Sequence, residues 1–178
     1  IVGSGNSSYI AGTNESGSFI AADINASNVV LNNGGYLSVT SGGTSLDTTI
    51  NSGGSQFVFD GGVANNVEVN NGGVQSAISG GVISSIAVMD GGILYVSGAN
   101  VTAVTQQAGG GLQTFIGTGN DGVVSGTNEN GNFFASGVSA SNVVLNNSGF
   151  LSVTSGGTAT NTAVNSGGTL FTVNSGSA

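Results

Sequence analysis

Gly34-Gly35-Tyr36-Leu37-Ser38-Val39-Thr40-Ser41-Gly42-Gly43-Thr44 decides the fold of this chain, because both of its glycine pairs return on a fixed beat. The first pair recurs every 19 residues as Gly53-Gly54, Gly72-Gly73, Gly91-Gly92 and Gly110-Gly111. The beat lapses at Glu129-Asn130, is half kept at Ser148-Gly149 and resumes at Gly167-Gly168. The second pair follows the first by eight residues and recurs as Gly61-Gly62, Gly80-Gly81 and Gly156-Gly157. Self-similarity at a short fixed period marks a repeat solenoid. Solenoids present long regular surfaces more often than one deep catalytic pocket.

Composition narrows the possible functions. The 178 residues include no Lys, Arg, His, Cys or Pro, and eight carboxylates give a formal charge of −8. Nucleic-acid binding requires cationic side chains to displace phosphate counterions, so it is excluded. Polybasic attraction to anionic membranes fails for the same reason, and no apolar run approaches the roughly 20 residues of a membrane span. Nucleophilic triads lack their His, Cys or Lys.

The period also fixes strand faces. Counted from the first glycine of the Gly34 pair, position fifteen holds Val29, Thr48, Val67, Ile86, Thr105, Val124, Val143 and Thr162. Position seventeen holds Leu31, Ile50, Val69, Val88, Gln107, Gly126, Leu145 and Val164. These two positions form the inward face of one strand. Position six marks a second strand through Ile20, Val39, Val58, Ala77, Val96, Phe115, Phe134, Val153 and Thr172. Gln56, Gln75 and Gln113 stand where other units have Leu37, Leu94 and Leu151, which predicts a bulge or shifted register. Glycine pairs interrupt every stretch long enough for a helix. The fold class expected is all-β: a single-stranded β-solenoid of about nine 19-residue coils, roughly 45 Å long at about 4.8 Å per strand. Position eighteen holds Asn32, Asn51, Asn70, Met89, Ala108, Thr127, Asn146 and Asn165. Its asparagines either stack as an amide ladder or each serve their own corner.

A longer repeat overlies the short one. Thr13-Asn14-Glu15 returns as Thr127-Asn128-Glu129, and Ser27-Asn28-Val29-Val30-Leu31 as Ser141-Asn142-Val143-Val144-Leu145, an offset of 114 residues. Residues 1–178 are therefore expected to be one solenoid segment, a window on a longer array. Ile1-Val2 and Leu170-Phe171-Thr172-Val173 are strand-like without charged or proline caps, so homotypic stacking is expected.

The segment from Leu151 to Thr169, Leu-Ser-Val-Thr-Ser-Gly-Gly-Thr-Ala-Thr-Asn-Thr-Ala-Val-Asn-Ser-Gly-Gly-Thr, resembles the repeat of AIDA-type autotransporter adhesins of Gram-negative bacteria. Leu37 to Gly54 and Phe59 to Gly73 are similar diverged copies, whereas residues 98–140 follow the pattern poorly. The resemblance implies a right-handed passenger β-helix at the bacterial cell surface or secreted, mediating adhesion, self-association and biofilm growth. It implies partners that are other copies of the chain and host or bacterial surface glycans or receptors. It also implies O-linked heptose on Ser or Thr, added by a dedicated glycosyltransferase. Hydroxyls in the matching corners are Ser41, Thr44, Ser52, Ser155, Thr158, Ser166 and Thr169; the alternative is that they only solvate turns. A phage fibre or a surface-layer protein could use the same coils.

The rival class is a β-helical carbohydrate-active enzyme. Glycoside hydrolysis needs only two carboxylates, and Asp47 and Glu68 fall on consecutive coils, both expected outward. No aromatic platform or cation accompanies them, so they are read as solvated surface acids. Gly117-Thr118-Gly119-Asn120-Asp121-Gly122 resembles one calcium-binding turn, but a single acidic copy is read as an ordinary loop. The sequence thus predicts no catalytic, metal or cofactor residue.

Overall fold

A computed structural model describes residues 1–178 as strands and turns, with no helix. Long strands Thr44–Ile50, Val63–Val69, Val82–Val88 and Asn100–Gln106 stack in parallel as the centre of a twelve-stranded sheet. Tyr36–Val39, Ser55–Val58, Val74–Ile78, Ile93–Ser97, Gly111–Ile116, Phe150–Val153 and Thr169–Thr172 form a seven-stranded parallel sheet. Each strand pairs with its equivalent in the next coil, so the molecule is a β-solenoid.

The glycine pairs make the corners between the two sheets, and these also stack. At one corner the Gly42 N–H donates to Gly61 O and the Gly80 N–H to Gly98 O. At the other, the N–H of Gly34, Gly53, Gly72 and Gly91 donate in turn to the carbonyls of Gly53, Gly72, Gly91 and Gly109. Two demands select glycine here. Gly53 has φ 74°, which costs other residues strain. Any Cβ on Gly54 would lie 2.2 Å from the Leu31 carbonyl oxygen of the preceding coil.

Between the sheets runs a narrow apolar core. Leu31, Ile50, Val69 and Val88 face Val39, Val58, Ala77 and Val96, all buried. Each large aliphatic side chain buried this way contributes about 1.5–3 kcal/mol. The long strands also bury Ala64, Ile83 and Val101, a position the period alone did not flag. A third bend explains it. Asp47, Asn66, Ser85 and Ala103 have φ of 54°, 57°, 63° and 53°. The bend interrupts the alternation in mid-strand, so inward positions are spaced three residues apart and then two.

The coil count is eight rather than nine. Val2 bridges Val39 and Ile116 pairs with Val153, so each time two units of sequence advance the solenoid by one level. The surplus folds into antiparallel hairpins, Tyr9–Asn14 with Gly17–Ala22 and Val123–Asn128 with Gly131–Ser136. Every bound differs by 114 residues between the two hairpins. Where a Gly-Gly corner is missing, an asparagine closes a two-residue turn. Asn14 Oδ1 accepts the Ser16 N–H at 2.8 Å and Asn128 Oδ1 the Asn130 N–H at 2.9 Å, and Gly17 and Gly131 take φ of 109° and 101°. Ile20 and Phe134, placed by the period on the second strand, lie 37% and 44% exposed on these hairpins instead.

Two further expectations are corrected. The coil entering Gly98 has 18 residues, as the Gly80–Gly98 and Gly91–Gly109 bonds show. A one-residue slip exchanges the faces of a strand. Val104 and Gln106 therefore point inward, and Thr105 and Gln107 outward. Likewise Leu112, not Gln113, pairs with Leu94. Gln56 and Gln75, by contrast, occupy the core in unbroken register with Leu37 and Leu94, and no bulge removes them. Gln56 Nε2 donates to Ser45 Oγ at 2.7 Å, but Oε1 of Gln56, Gln75 and Gln106 finds no partner.

Candidate functional site

The surface is built from stacked corners, so each polar corner residue repeats as a column. Ser41 and Ser155 occupy one corner, Ser52 and Ser166 the other, while Thr44, Thr158 and Thr169 open the strands that follow. All seven predicted acceptor hydroxyls are exposed. Two are engaged: Thr44 Oγ1 donates to Asn25 Oδ1 at 2.5 Å and Ser155 Oγ to Asn174 O at 2.9 Å. The seven do not form one patch. Ser41, Thr44 and Ser52 lie toward one end of the rod and the other four toward the opposite end. Between them the same columns carry Asp60 and Ser79, or Asn71 and Asp90.

Position eighteen forms an amide ladder. Asn51 Nδ2 donates to Asn32 Oδ1 at 2.8 Å, Asn70 Nδ2 to Asn51 Oδ1 at 2.9 Å, and Asn165 Nδ2 to Asn146 Oδ1 at 2.7 Å. The hairpins fasten onto this ladder, a role that period reasoning missed. Asn51 Nδ2 also donates to Glu15 Oε1 at 3.1 Å, and Asn165 Nδ2 to Glu129 Oε1 at 2.9 Å. Asn14 Nδ2 reaches Asn28 O at 2.7 Å and Asn128 Nδ2 reaches Asn142 O at 2.8 Å. The signal lay in the recurring Thr-Asn-Glu at the point where the glycine beat lapses.

Asp47 and Glu68 line one shallow depression of about 300 Å³ with Ser16 and Asn66, without an apolar lining residue. Asp47 is not a plain outward strand residue: it holds the left-handed bend and accepts from Asn66 Nδ2 at 2.5 Å. The chain offers no cation or imidazole to orient a substrate there. The Gly117–Gly122 turn is closed by its own asparagine. Asn120 Nδ2 donates to Phe115 O at 2.8 Å and Asn120 Oδ1 accepts the Gly122 N–H at 3.0 Å. No three acidic side chains gather at any point of the molecule.

Comparison with known proteins matches the sequence to a family. A family model described as adhesin of bacterial autotransporter system, probable stalk, matches residues 11–62 and 125–178. The two matches start 114 residues apart, one in each hairpin, and run into the coils that follow. A crystal structure of a TibC-catalysed, hyper-glycosylated TibA fragment is similar, with 28% identity, 86% of this chain and 70% of that chain covered, and a TM-score of 0.48. No curated protein matches the chain.

Proposed function

The chain belongs to the AIDA family of bacterial autotransporter adhesins, as a stalk-type passenger segment of the cell surface or secreted space, and from that premise we propose that it is a non-catalytic adhesion module acting through its polar corner columns. One observation carries the reading: exposed Ser, Thr and Asn side chains repeat along a stacked ladder, and each surface depression is open and lined by at most one hydrophobic residue. Such a surface makes many weak contacts in register rather than one tight one, and multiplicity supplies the avidity. Homotypic contact between stalks and contact with surface glycans both use it.

The seven exposed hydroxyls Ser41, Thr44, Ser52, Ser155, Thr158, Ser166 and Thr169 are the proposed acceptors for O-glycosylation by a partner transferase. Thr44 and Ser155 would have to give up their hydrogen bonds to accept a sugar, and Ser41 and Ser52 lie against Gly61 and Gly72 of the next coil, which carry no side chain to obstruct it. The native segment is also proposed to be part of a longer array of 114-residue units.

Incubation with bacterial and host polysaccharides separates adhesion from catalysis. The expected result is retention of polysaccharide without cleavage, unchanged by Asp47→Asn. Cleavage that Asp47→Asn abolishes would overturn the reading in favour of a glycosidase.

A further inference from the structure

One groove of about 380 Å³ differs from the other surface depressions. It falls at the small end of the roughly 300–1,000 Å³ typical of small-molecule sites. Its floor is the stacked corner pair Ser79-Gly80 and Ser97-Gly98, where two glycines leave the backbone open to close approach. Its wall is Phe115, near the end of the Gly111–Ile116 strand, together with Asn120 and Asp121 on the loop that leads from it into the second hairpin. Thr114 and Ile116 are buried, so the alternation turns the Phe115 ring outward. Asn120 spends its amide on Phe115 O and Gly122 N–H, which holds the loop, and the exposed Asp121 lines the same groove as the ring.

We infer that this groove binds a neutral sugar residue, with its C–H face on Phe115 and adjacent hydroxyls donating to the Asp121 carboxylate. An aromatic ring and a carboxylate in one groove match the two faces of a pyranose, one apolar and one rich in O–H donors. The rest of the chain sharpens the choice. With no Lys, Arg or His anywhere and a charge of −8, nothing pairs with a sialic or uronic acid or a phosphate. The 114-residue repeat supplies an internal comparison. Gly3-Ser4-Gly5-Asn6 matches Gly117-Thr118-Gly119-Asn120 in the turn itself, yet Ile1 and Ser7 replace the ring and the carboxylate. The turn is shared; the two ligand-facing groups are particular to the second copy. This site would be a receptor contact of the adhesive surface proposed above, and in that sense it rests on that reading.

A nuclear magnetic resonance titration of the whole chain tests the inference, using methyl glycosides of mannose, glucose and galactose, with lactose and maltose. Glucuronate and N-acetylneuraminate serve as acidic probes. The expected result is saturable shifts confined to the amides of Ser79, Gly80, Ser97, Gly98, Phe115 and Gly119–Gly122, with a dissociation constant on the order of a millimolar. Asp121→Asn is expected to weaken binding by about tenfold, and Phe115→Ile, which installs the side chain of the first copy, by a similar factor with the fold unchanged. Absence of groove shifts with every neutral sugar, or equal affinity in both variants, overturns the site. Equal binding of glucuronate overturns its preference for neutral ligands. Cells displaying the chain separate this inference from the adhesion reading. Adhesion by Asp121→Asn cells that matches wild type rejects the groove as a receptor contact and leaves adhesion standing. Groove shifts without any adhesion by wild-type cells reject adhesion and leave the sugar site.

Discussion

Gln75 has no exposed surface, lies between Gln56 and Leu94 in the narrow-sheet core, and satisfies only its Nε2, at 3.3 Å from Ser76 O. An unpartnered buried oxygen costs about 1–3 kcal/mol. Gln75→Leu installs the residue that the following coil carries at Leu94, and it is expected to raise stability by about 1–2 kcal/mol in urea denaturation; destabilisation would show that the glutamine stack is favourable as it stands. Ala103 is the second such site. It takes φ 53° where other coils place Asp47 and Asn66, residues that tolerate the left-handed region. Ala103→Asn should add about 0.5–1 kcal/mol in the same assay. Both sites show how far single residues were legible. Glycine pairs and aliphatic columns announce themselves, since each satisfies a steric or hydrophobic demand of its own. Gln56 and Gln75 do not, because the phase of the coil carries them inward whatever their polarity. The slip that buries Gln106 was hidden by Gly109-Gly110-Gly111, three glycines that allow a corner in either phase.

At the level of elements, the amide ladder and the hairpins form one device. Asn51 contacts Asn32, Asn70 and Glu15 at once. Asn51→Ala is expected to cost about 1–3 kcal/mol, more than loss of a typical single surface hydrogen bond. Asn128 closes the second hairpin through Asn130 N–H and ties it to Asn142 O. Asn128→Ala should therefore speed amide hydrogen exchange across Val123–Ser136 by roughly fivefold to thirtyfold, leaving the Val82–Val88 strand protected. Uniform loosening of both regions would mean that the hairpin is not a separate cooperative unit. The hairpins were the least legible elements of the fold. Their strands preserve the apolar spacing of a coil, as Ile20 and Phe134 show, and only the missing glycine pair betrays them. The candidate site divides in the same way. The corner hydroxyls could be read from the period, but the Phe115–Asp121 groove could not, since an irregular loop brings it together over the corners of two other coils.

The whole molecule is a rod of eight levels without an ion pair, because it has no cationic side chain to form one. Its eight carboxylates repel one another, and salt shortens the range of that repulsion to about 8 Å at 0.15 M. Raising salt from about 10 mM to 0.15 M is expected to increase Tm by roughly 1–3 °C and to strengthen association between copies in light scattering, opposite to a contact built on ion pairs. The most direct test of the adhesive role is to display residues 1–178 on a non-adherent bacterium through an unrelated outer-membrane anchor. Cell–cell sedimentation and surface attachment are then measured against the anchor alone. An adhesive stalk predicts faster sedimentation or greater attachment at physiological salt. Displayed, folded chain that leaves cells as dispersed and unattached as the anchor alone would contradict it.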